Sequence, residues 1–260
     1  MKKGLIIYNE HDKKLNEWFV ECCLKALNDD EFSLLYKEEN EVLDYVNNNP
    51  IDFVIFRCRN YSLLNKIEKR GIRCFNNVKT NSLANDKYRT YLFFKEHGFP
   101  CLETSLESKD ISFPLVMKSL DGHGGKEVYL INSKNELKQS DKGFIYQKFL
   151  PNKGDVRLYV LNKKVIGAVK RSNDKDFRSN YSLGGEVEEY KASKEMIDIA
   201  IKISELLDAD YIGVDFIIYD KGFIVNEIED PVGAKMLYKT TGIDAVNLFI
   251  ERIKNSLKNN

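Results

Sequence analysis

The sequence predicts an α/β protein: a small Rossmann-like domain comes first, and lobes built on antiparallel strands follow. Three observations predict it. Over residues 1–76, short apolar runs alternate with helix-period stretches, as a parallel sheet with crossover helices requires. Residues 122–126 place three glycines in a loop between two strand-like runs. Residues 211–229 alternate apolar and acidic positions around a turn, the pattern of a hairpin buried on one face. The divisions expected are 1–76, 77–150 and 151–260.

Composition narrows the function classes. Lysine plus arginine equals aspartate plus glutamate, 40 against 40, so no global field favours nucleic acid or an anionic membrane. The five cysteines, Cys22, Cys23, Cys58, Cys74 and Cys101, contain no C-x-x-C pair and indicate neither a zinc site nor a disulfide framework. The apolar run that begins at Leu5 ends at Ile7, too short for a signal peptide, and no run is long enough to span a bilayer. The expectation is a reduced, cytoplasmic protein with no nucleic-acid or membrane partner; a homo-oligomer stays open.

In the first domain, strands are expected over 4–8, 32–36, 52–56 and 72–75, with helices over 16–27, 41–46 and 61–70. No G-x-G-x-x-G follows the first strand, so dinucleotide binding is not expected. Arg57 and Arg59 follow the third strand, at the edge where open α/β sheets hold ligands. They suit an anionic substrate or, equally, a solvated basic loop.

Beyond residue 76, Asn85, Asp86 and Lys87 open a helix that runs to about 96. A strand over 113–118 ends in Lys118, and Gly122, His123, Gly124, Gly125 and Lys126 lead to a strand over 127–131. Glycine backbone leaves amides free to turn toward one anion, and Lys118 and Lys126 add positive charge, so the loop suits phosphate; a plain flexible turn is the alternative. Strands follow over 143–150, 155–161 and 164–171, the last two turned at Asn162 and Lys163, with Asp155 and Arg157 on one face. A polar loop over 176–180, a helix over 194–207 and a final helix over 244–257 complete the chain.

The 211–229 hairpin is expected to turn at Asp220, Lys221 and Gly222, which pairs Tyr219 with Phe223 and sets Asp215 opposite Glu227. Glu229 shares their face. The other face carries Ile212, Val214, Phe216, Ile218, Ile224 and Ile228, interrupted by Asn226. Opposed residues have Cβ atoms about 5 Å apart. Carboxylates that close are tolerated with protons or cations between them, and their hard oxygens suit Mg²⁺. Mutual repulsion is expected to raise their apparent pKa.

With these elements in place the chain resembles the ATP-grasp superfamily, in particular the RimK-like glutamate ligases and the lysine-biosynthesis ligases that act on a carrier protein. The resemblance runs from about 76 to 253 and rests on P-L-V-M-K with its glycine loop, G-D-V-R, D-F-R-S-N-Y-S-L-G-G, G-V-D-F, and N-E-I-E followed by K-T-T-G-I-D. It implies a two-lobed grasp fold that binds ATP with two Mg²⁺ ions, Mn²⁺ being an acceptable substitute. Lys87 and Lys118 are implied as phosphate contacts, under the loop of Gly122, His123, Gly124, Gly125 and Lys126. Gln147, Lys148, Phe149 and Leu150 are implied beside adenine, Asp155 at the ribose, and Ser179, Asn180 and Asn226 as further nucleotide contacts. Arg157 and Arg178 are implied as catalytic, and Asp215, Glu227 and Glu229 as metal ligands. Relatives carry asparagine where Glu229 stands. The implied activity is an ATP-dependent carboxylate–amine ligase working through an acylphosphate, its carboxylate on a small molecule, peptide or carrier protein. Two alternatives are a non-catalytic ATP-binding module and a kinase that stops at phosphoryl transfer.

Overall fold

The computed structural model describes residues 1–120, 122, 127–139, 143–173 and 186–258. Strand β1 (Lys2–Tyr8) is buried from Gly4 onward, because β-branched and aromatic neighbours cover both of its faces. A short helix α1 (Glu10–Leu15) comes next, and α2 (Glu17–Ala26) is the helix expected over 16–27. Asn9 caps α1 by accepting the Asp12 amide at 2.8 Å, and Asn16 ends it by donating to the Asp12 carbonyl at 2.8 Å. Then come β2 (Phe32–Glu38), α3 (Val42–Asn48), β3 (Phe53–Phe56), α4 (Tyr61–Glu68) and β4 (Arg73–Phe75). All pairings in this first sheet are parallel, in the order β2-β1-β3-β4, as the alternation predicts.

Helices α5 (Val78–Ala84) and α6 (Lys87–Glu96) lead into the first lobe; α5 is not anticipated by the sequence reading. The lobe is an antiparallel sheet of β5 (Thr104–Ser105), β6 (Leu115–Ser119), β7 (Val128–Ile131) and β8 (Phe144–Lys148), ordered β5-β8-β6-β7. Leu115 and Met117 enter its core, so alternation turns Val116 and Lys118 the other way.

The second lobe holds β9 (Asp155–Leu161), β10 (Lys164–Ser172) and β11 (Glu186–Glu189), then α7 (Lys194–Leu207), β12 (Tyr211–Tyr219), β13 (Gly222–Glu229), α8 (Lys235–Thr241) and α9 (Ala245–Lys258). Its antiparallel order is β11-β10-β9-β12-β13, so β9 lies in the middle. One face, with Val156, Leu158, Val160, Ile212, Val214 and Phe216, packs on α7 through Met196, Ala200, Ile203 and Leu207. The other face is divided. Tyr159, Leu161, Val169 and Tyr211 join α9 and the first domain in one core, while its opposite end carries the charged residues of the site.

The 211–229 hairpin differs from expectation in its turn. Tyr219 pairs with Gly222 rather than with Phe223, across a two-residue turn. A bulge then inserts one residue, Asn226, opposite the junction of Asp215 and Phe216. The bulge restores Asp215 opposite Glu227, as expected, but changes the core face: Phe223 and Val225 pack there instead of Ile224.

Asn76 ties the first domain to the second lobe. Its Oδ1 accepts the amides of Asp210 at 2.6 Å and Tyr211 at 2.9 Å, and its Nδ2 donates to the Tyr211 carbonyl at 2.7 Å and to Asp230 Oδ1 at 2.8 Å. Each buried polar group stranded without a partner costs about 1–3 kcal/mol. Asn76→Ala strands several, so urea unfolding is expected to show a loss of at least about 2 kcal/mol by that reckoning. A loss within the about 0.5 kcal/mol usual for surface substitutions would refute the latch.

Candidate active site

Two groups of charged residues meet between the lobes. In the cleft, Lys87 at the start of α6, Lys118 on β6, Gln147 on β8, and Asn226 and Glu227 on β13 line one wall-to-wall space with Tyr91, Phe94, Ile145 and Val225. Lys118 is 7% exposed, and its Nζ donates to Asn226 Oδ1 at 3.2 Å and lies 3.5 Å from Glu227 Oε1. The bulge makes both contacts available, since it turns Asn226 and Glu227 toward the same cleft. Burial pulls the Lys118 pKa below its ordinary value and Lys87 adds to the fall, with Glu227 opposing. Desolvation works to raise the Glu227 pKa, but Lys118 and Lys87 outweigh it and the net shift is downward. Lys87 donates to the Gly122 carbonyl, at the near end of the glycine loop.

The second group is a row of alternating charges across β10, β9, β12 and β13. Arg157 sits opposite Asp215, and Arg171 opposite Asp155. Arg157 Nε and Nη2 donate to Asp215 Oδ1 and Oδ2, both at 2.7 Å, and Nη2 also reaches Glu229 Oε2 at 3.0 Å. Arg171 donates to Asp155 through Nε and to Asp215 Oδ2 at 2.7 Å through Nη2. Beyond Glu229, Arg59 Nη2 stands 3.6 Å from Glu229 Oε1, and Arg59 Nη1 donates to Asp12 Oδ2 at 3.0 Å. Gly213 makes room for this row: a Cβ there would lie 3.1 Å from Arg157 Cδ and 3.0 Å from Val232 Cγ2.

These contacts overturn the expected repulsion. Burial alone would raise the Asp215 pKa, but Arg157 and Arg171 hold it well below the usual carboxylate range. Asp155 goes the other way: burial pushes it up to about 6, with Asp215 adding and Arg171 opposing. Among the described residues, no three acidic or cysteine and histidine side chains gather as a ready metal cage. Glu227 is the carboxylate that faces the cleft, while Asp215 and Glu229 are engaged by arginines.

Other sequence expectations fall as follows. Gln147 is buried, with its Nε2 donating to Thr104 Oγ1 at 3.2 Å; Lys148 is exposed, and Phe149 and Leu150 are half-buried in the connection between lobes. Arg57 is not available to a substrate, because its Nε donates to Tyr8 Oη at 3.0 Å and its Nη2 to the Val232 carbonyl at 2.7 Å. His123, Gly124, Gly125, Lys126, Arg178, Ser179 and Asn180 lie outside the described residues. Arg171 is the residue that sequence reasoning missed. Counting back from the turn at Asn162 and Lys163 puts Lys170 opposite Asp155, but a bulge between Val165 and Gly167 advances the register by one. Gly167 is the visible trace of that bulge, since a Cβ there would meet Leu237 Cδ1 of α8 at 2.6 Å.

The family model of the RimK-like ATP-grasp domain matches residues 85–253. A Mycoplasma genitalium protein of uncharacterized function is 33% identical over 252 residues, covering 91% of this chain and 86% of that one. A probable alpha-L-glutamate ligase of Haemophilus influenzae is 28% identical over 259 residues, covering 90% of this chain and 85% of its own. Among solved structures, a D-alanine–D-alanine ligase from Bacillus anthracis superposes with a TM-score of 0.79 over 100% of this chain and 98% of that one; at 16% identity this is a likeness of fold.

Breaking a buried ion pair from one side costs roughly 3–5 kcal/mol. Asp215→Asn removes the charge that two arginines share, and urea unfolding near neutral pH is expected to show a loss of at least about 2 kcal/mol on that scale. A carboxylate whose folded pKa is lowered contributes stability that is present above its unfolded value, 3.8 here, and fades as pH falls below it. The gap between wild type and variant is therefore expected to narrow in that acid range. A gap that stays constant there would contradict an ionised, arginine-held Asp215.

Proposed function

The chain belongs to the RimK-like ATP-grasp family, and from that premise we propose that it is an ATP-dependent ligase that joins a carboxylate to the amine of an amino acid, with L-glutamate as the amine substrate. The observation that carries this reading is the placement of Lys118 and Lys87 in the cleft between two antiparallel lobes, beside the Arg157 row. The alpha-L-glutamate ligase named among the relatives supports the choice of amine.

The residues fit the nucleotide and its metal. A buried ammonium with a depressed pKa, such as Lys118, gains from an anion brought to it, and phosphate oxygens are such anions. Mg²⁺ needs only one or two carboxylates, the remaining ligands being waters and substrate phosphates. Glu227 would hold it, with Asp215 behind. Bound there, Mg²⁺ supplies neutralisation of the triphosphate and alignment of the γ-phosphoryl group.

A carboxylate resists attack because it is anionic and its oxygen leaves badly. Transfer of the γ-phosphoryl group onto it yields ADP and an acylphosphate; the amine then attacks the acyl carbon, and phosphate departs as the amide forms. This chain's residues bind and orient. Lys87 and Lys118, which line the cleft, hold phosphates, and the role given to Arg157 is to stabilise charge on the transferred group and on the tetrahedral intermediate. Asp215 and Glu229 fix the plane of that guanidinium.

The test is mass spectrometry of products after incubation with ATP, Mg²⁺, L-glutamate and a panel of carboxylates and cell extract. ADP release that needs both a carboxylate and an amine supports the ligase, whereas release with a carboxylate alone and a stable phosphorylated product would make it a kinase. Removing a charged hydrogen bond costs about 1.5–3 kcal/mol, so Lys118→Ala should weaken ATP binding by about tenfold or more, with the circular-dichroism spectrum unchanged. Wild-type affinity in that variant would take Lys118 out of the site. Glu227→Gln is expected to lose turnover and keep its fold.

A further inference from the structure

Arg59 leaves the carboxyl end of β3 in the first domain, and Glu229 closes β13 in the second lobe. They meet at 3.6 Å, an ion pair longer than a hydrogen bond. Arg59 is not used up by its other contact. Nη1 donates to Asp12 Oδ2 at 3.0 Å, but Nε is buried and has no partner. The side chains of Arg59 and Glu229 are 26% and 27% exposed. Arg57, two residues earlier, contrasts with it: both of its assigned donors are satisfied and its guanidinium stacks 4.3 Å over Phe19.

One amide sets both members of the pair. Asn81 Nδ2 donates to the Cys58 carbonyl at 2.9 Å and to Asp230 Oδ2 at 2.9 Å. Cys58 precedes Arg59 and Asp230 follows Glu229. Asn85, one turn further along the chain, donates to the Asp230 carbonyl at 2.9 Å. The backbone beside each charged residue is therefore fixed, while the contact between the two charged tips stays long. Glu229 is also in contact with Arg157, the residue placed at phosphoryl transfer, so the pair lies next to the reacting centre.

We propose that Arg59 and Glu229 form the specificity-determining pair for the amine substrate, a proposal that rests on the ligase reading above. Arg59 binds the carboxylate of the incoming amino acid, and Glu229 accepts a hydrogen bond from its amine. Arg59 Nη2 stands 3.6 Å from Glu229, and a charge-assisted hydrogen bond from it to a ligand carboxylate replaces that long contact. The pair is a mirror of the zwitterion: cation to carboxylate, anion to amine. A plain alkylamine gives Arg59 nothing to bind. The glutamate at 229 is matched in charge by Arg59 from another domain.

The experiment measures L-glutamate binding by calorimetry to the full chain saturated with a non-hydrolysable ATP analogue and Mg²⁺, alongside ADP release with each amine. The probes are L-glutamate and its α-decarboxylated counterpart, 4-aminobutyrate. Wild type is expected to bind L-glutamate at least about tenfold more tightly than 4-aminobutyrate; Arg59→Ala is expected to lose that preference, Arg59→Lys to recover part of it, and both to keep the wild-type affinity for the ATP analogue within about twofold. Unchanged L-glutamate binding in Arg59→Ala overturns the proposal. So does a parallel loss of L-glutamate and nucleotide binding, which marks Arg59 as a domain staple. ADP release driven as well by 4-aminobutyrate, which lacks the α-carboxylate, as by L-glutamate overturns it too and leaves the ligase reading standing. No ADP release with any pairing of these amines with the panel of carboxylates and cell extract, despite intact ATP binding, overturns the ligase reading and this proposal with it.

Discussion

Arg157 donating into Asp215 is the contact on which the site depends. Burying an ion costs several kcal/mol even after relaxation, and attraction repays it only where geometry is good and remaining donors are satisfied. Here the geometry is good because the charges alternate in space. Asp155, Arg171, Asp215, Arg157, Glu229, Arg59 and Asp12 succeed one another, each beside a group of opposite sign. The row needs β9 between β10 and β12, since only then do strands from two hairpins bring Arg157, Arg171 and Asp215 to one face. The strand order is therefore tied to the chemistry as well as to the core.

The same sheet pays no visible penalty in packing, because its two faces are assigned different work. α7 covers one face with aliphatic side chains throughout. The other changes character along β9, from Asp155 and Arg157 at one end to Tyr159 and Leu161 at the other, where α9 and the first domain close over it. Two tyrosine hydroxyls, of Tyr159 and Tyr211, are buried there without a hydrogen-bond partner. Burial raises both of their pKa values, so they remain neutral beside Arg57 and Arg157.

Much of this was legible in the sequence, and the parts that were not share a cause. Alternation of strand and helix gave the parallel sheet, and period-two patterning gave the antiparallel strands, because both follow from which faces must be buried. Register was harder. The turn of the 211–229 hairpin was displaced by one residue, yet Asp215 still faces Glu227, because the bulge at Asn226 adds back the residue that the shorter turn removes. At the 155–171 hairpin no such cancellation occurs, and the bulge before Gly167 hid Arg171. Bulges depend on what packs over the strand, here α8 on Gly167, and that partner lies some seventy residues away in sequence. The asparagines that latch the domains, Asn76, Asn81 and Asn85, were unreadable for a related reason: polar residues near a helix start look like caps until their distant partners, Tyr211 and Asp230, are known.

The charge balance of the site bears on why a metal belongs to the ligase reading. Among the described residues, Lys87, Lys118, Arg59, Arg157 and Arg171 stand against Asp12, Asp155, Asp215, Glu227 and Glu229, five cations against five anions. Charges so balanced offer little net attraction to a polyanionic triphosphate, although Lys118 and Lys87 supply local donors. Arg157 and Arg171 are held by carboxylates on the second lobe, so much of their charge serves cohesion. On the ligase reading, divalent cations would change that sum without changing the protein, each adding two positive charges where Glu227 faces the cleft. Nucleotide and metal are then expected to bind as one unit, with the protein's own arginines left close to the transferring group instead of being consumed in holding the triphosphate.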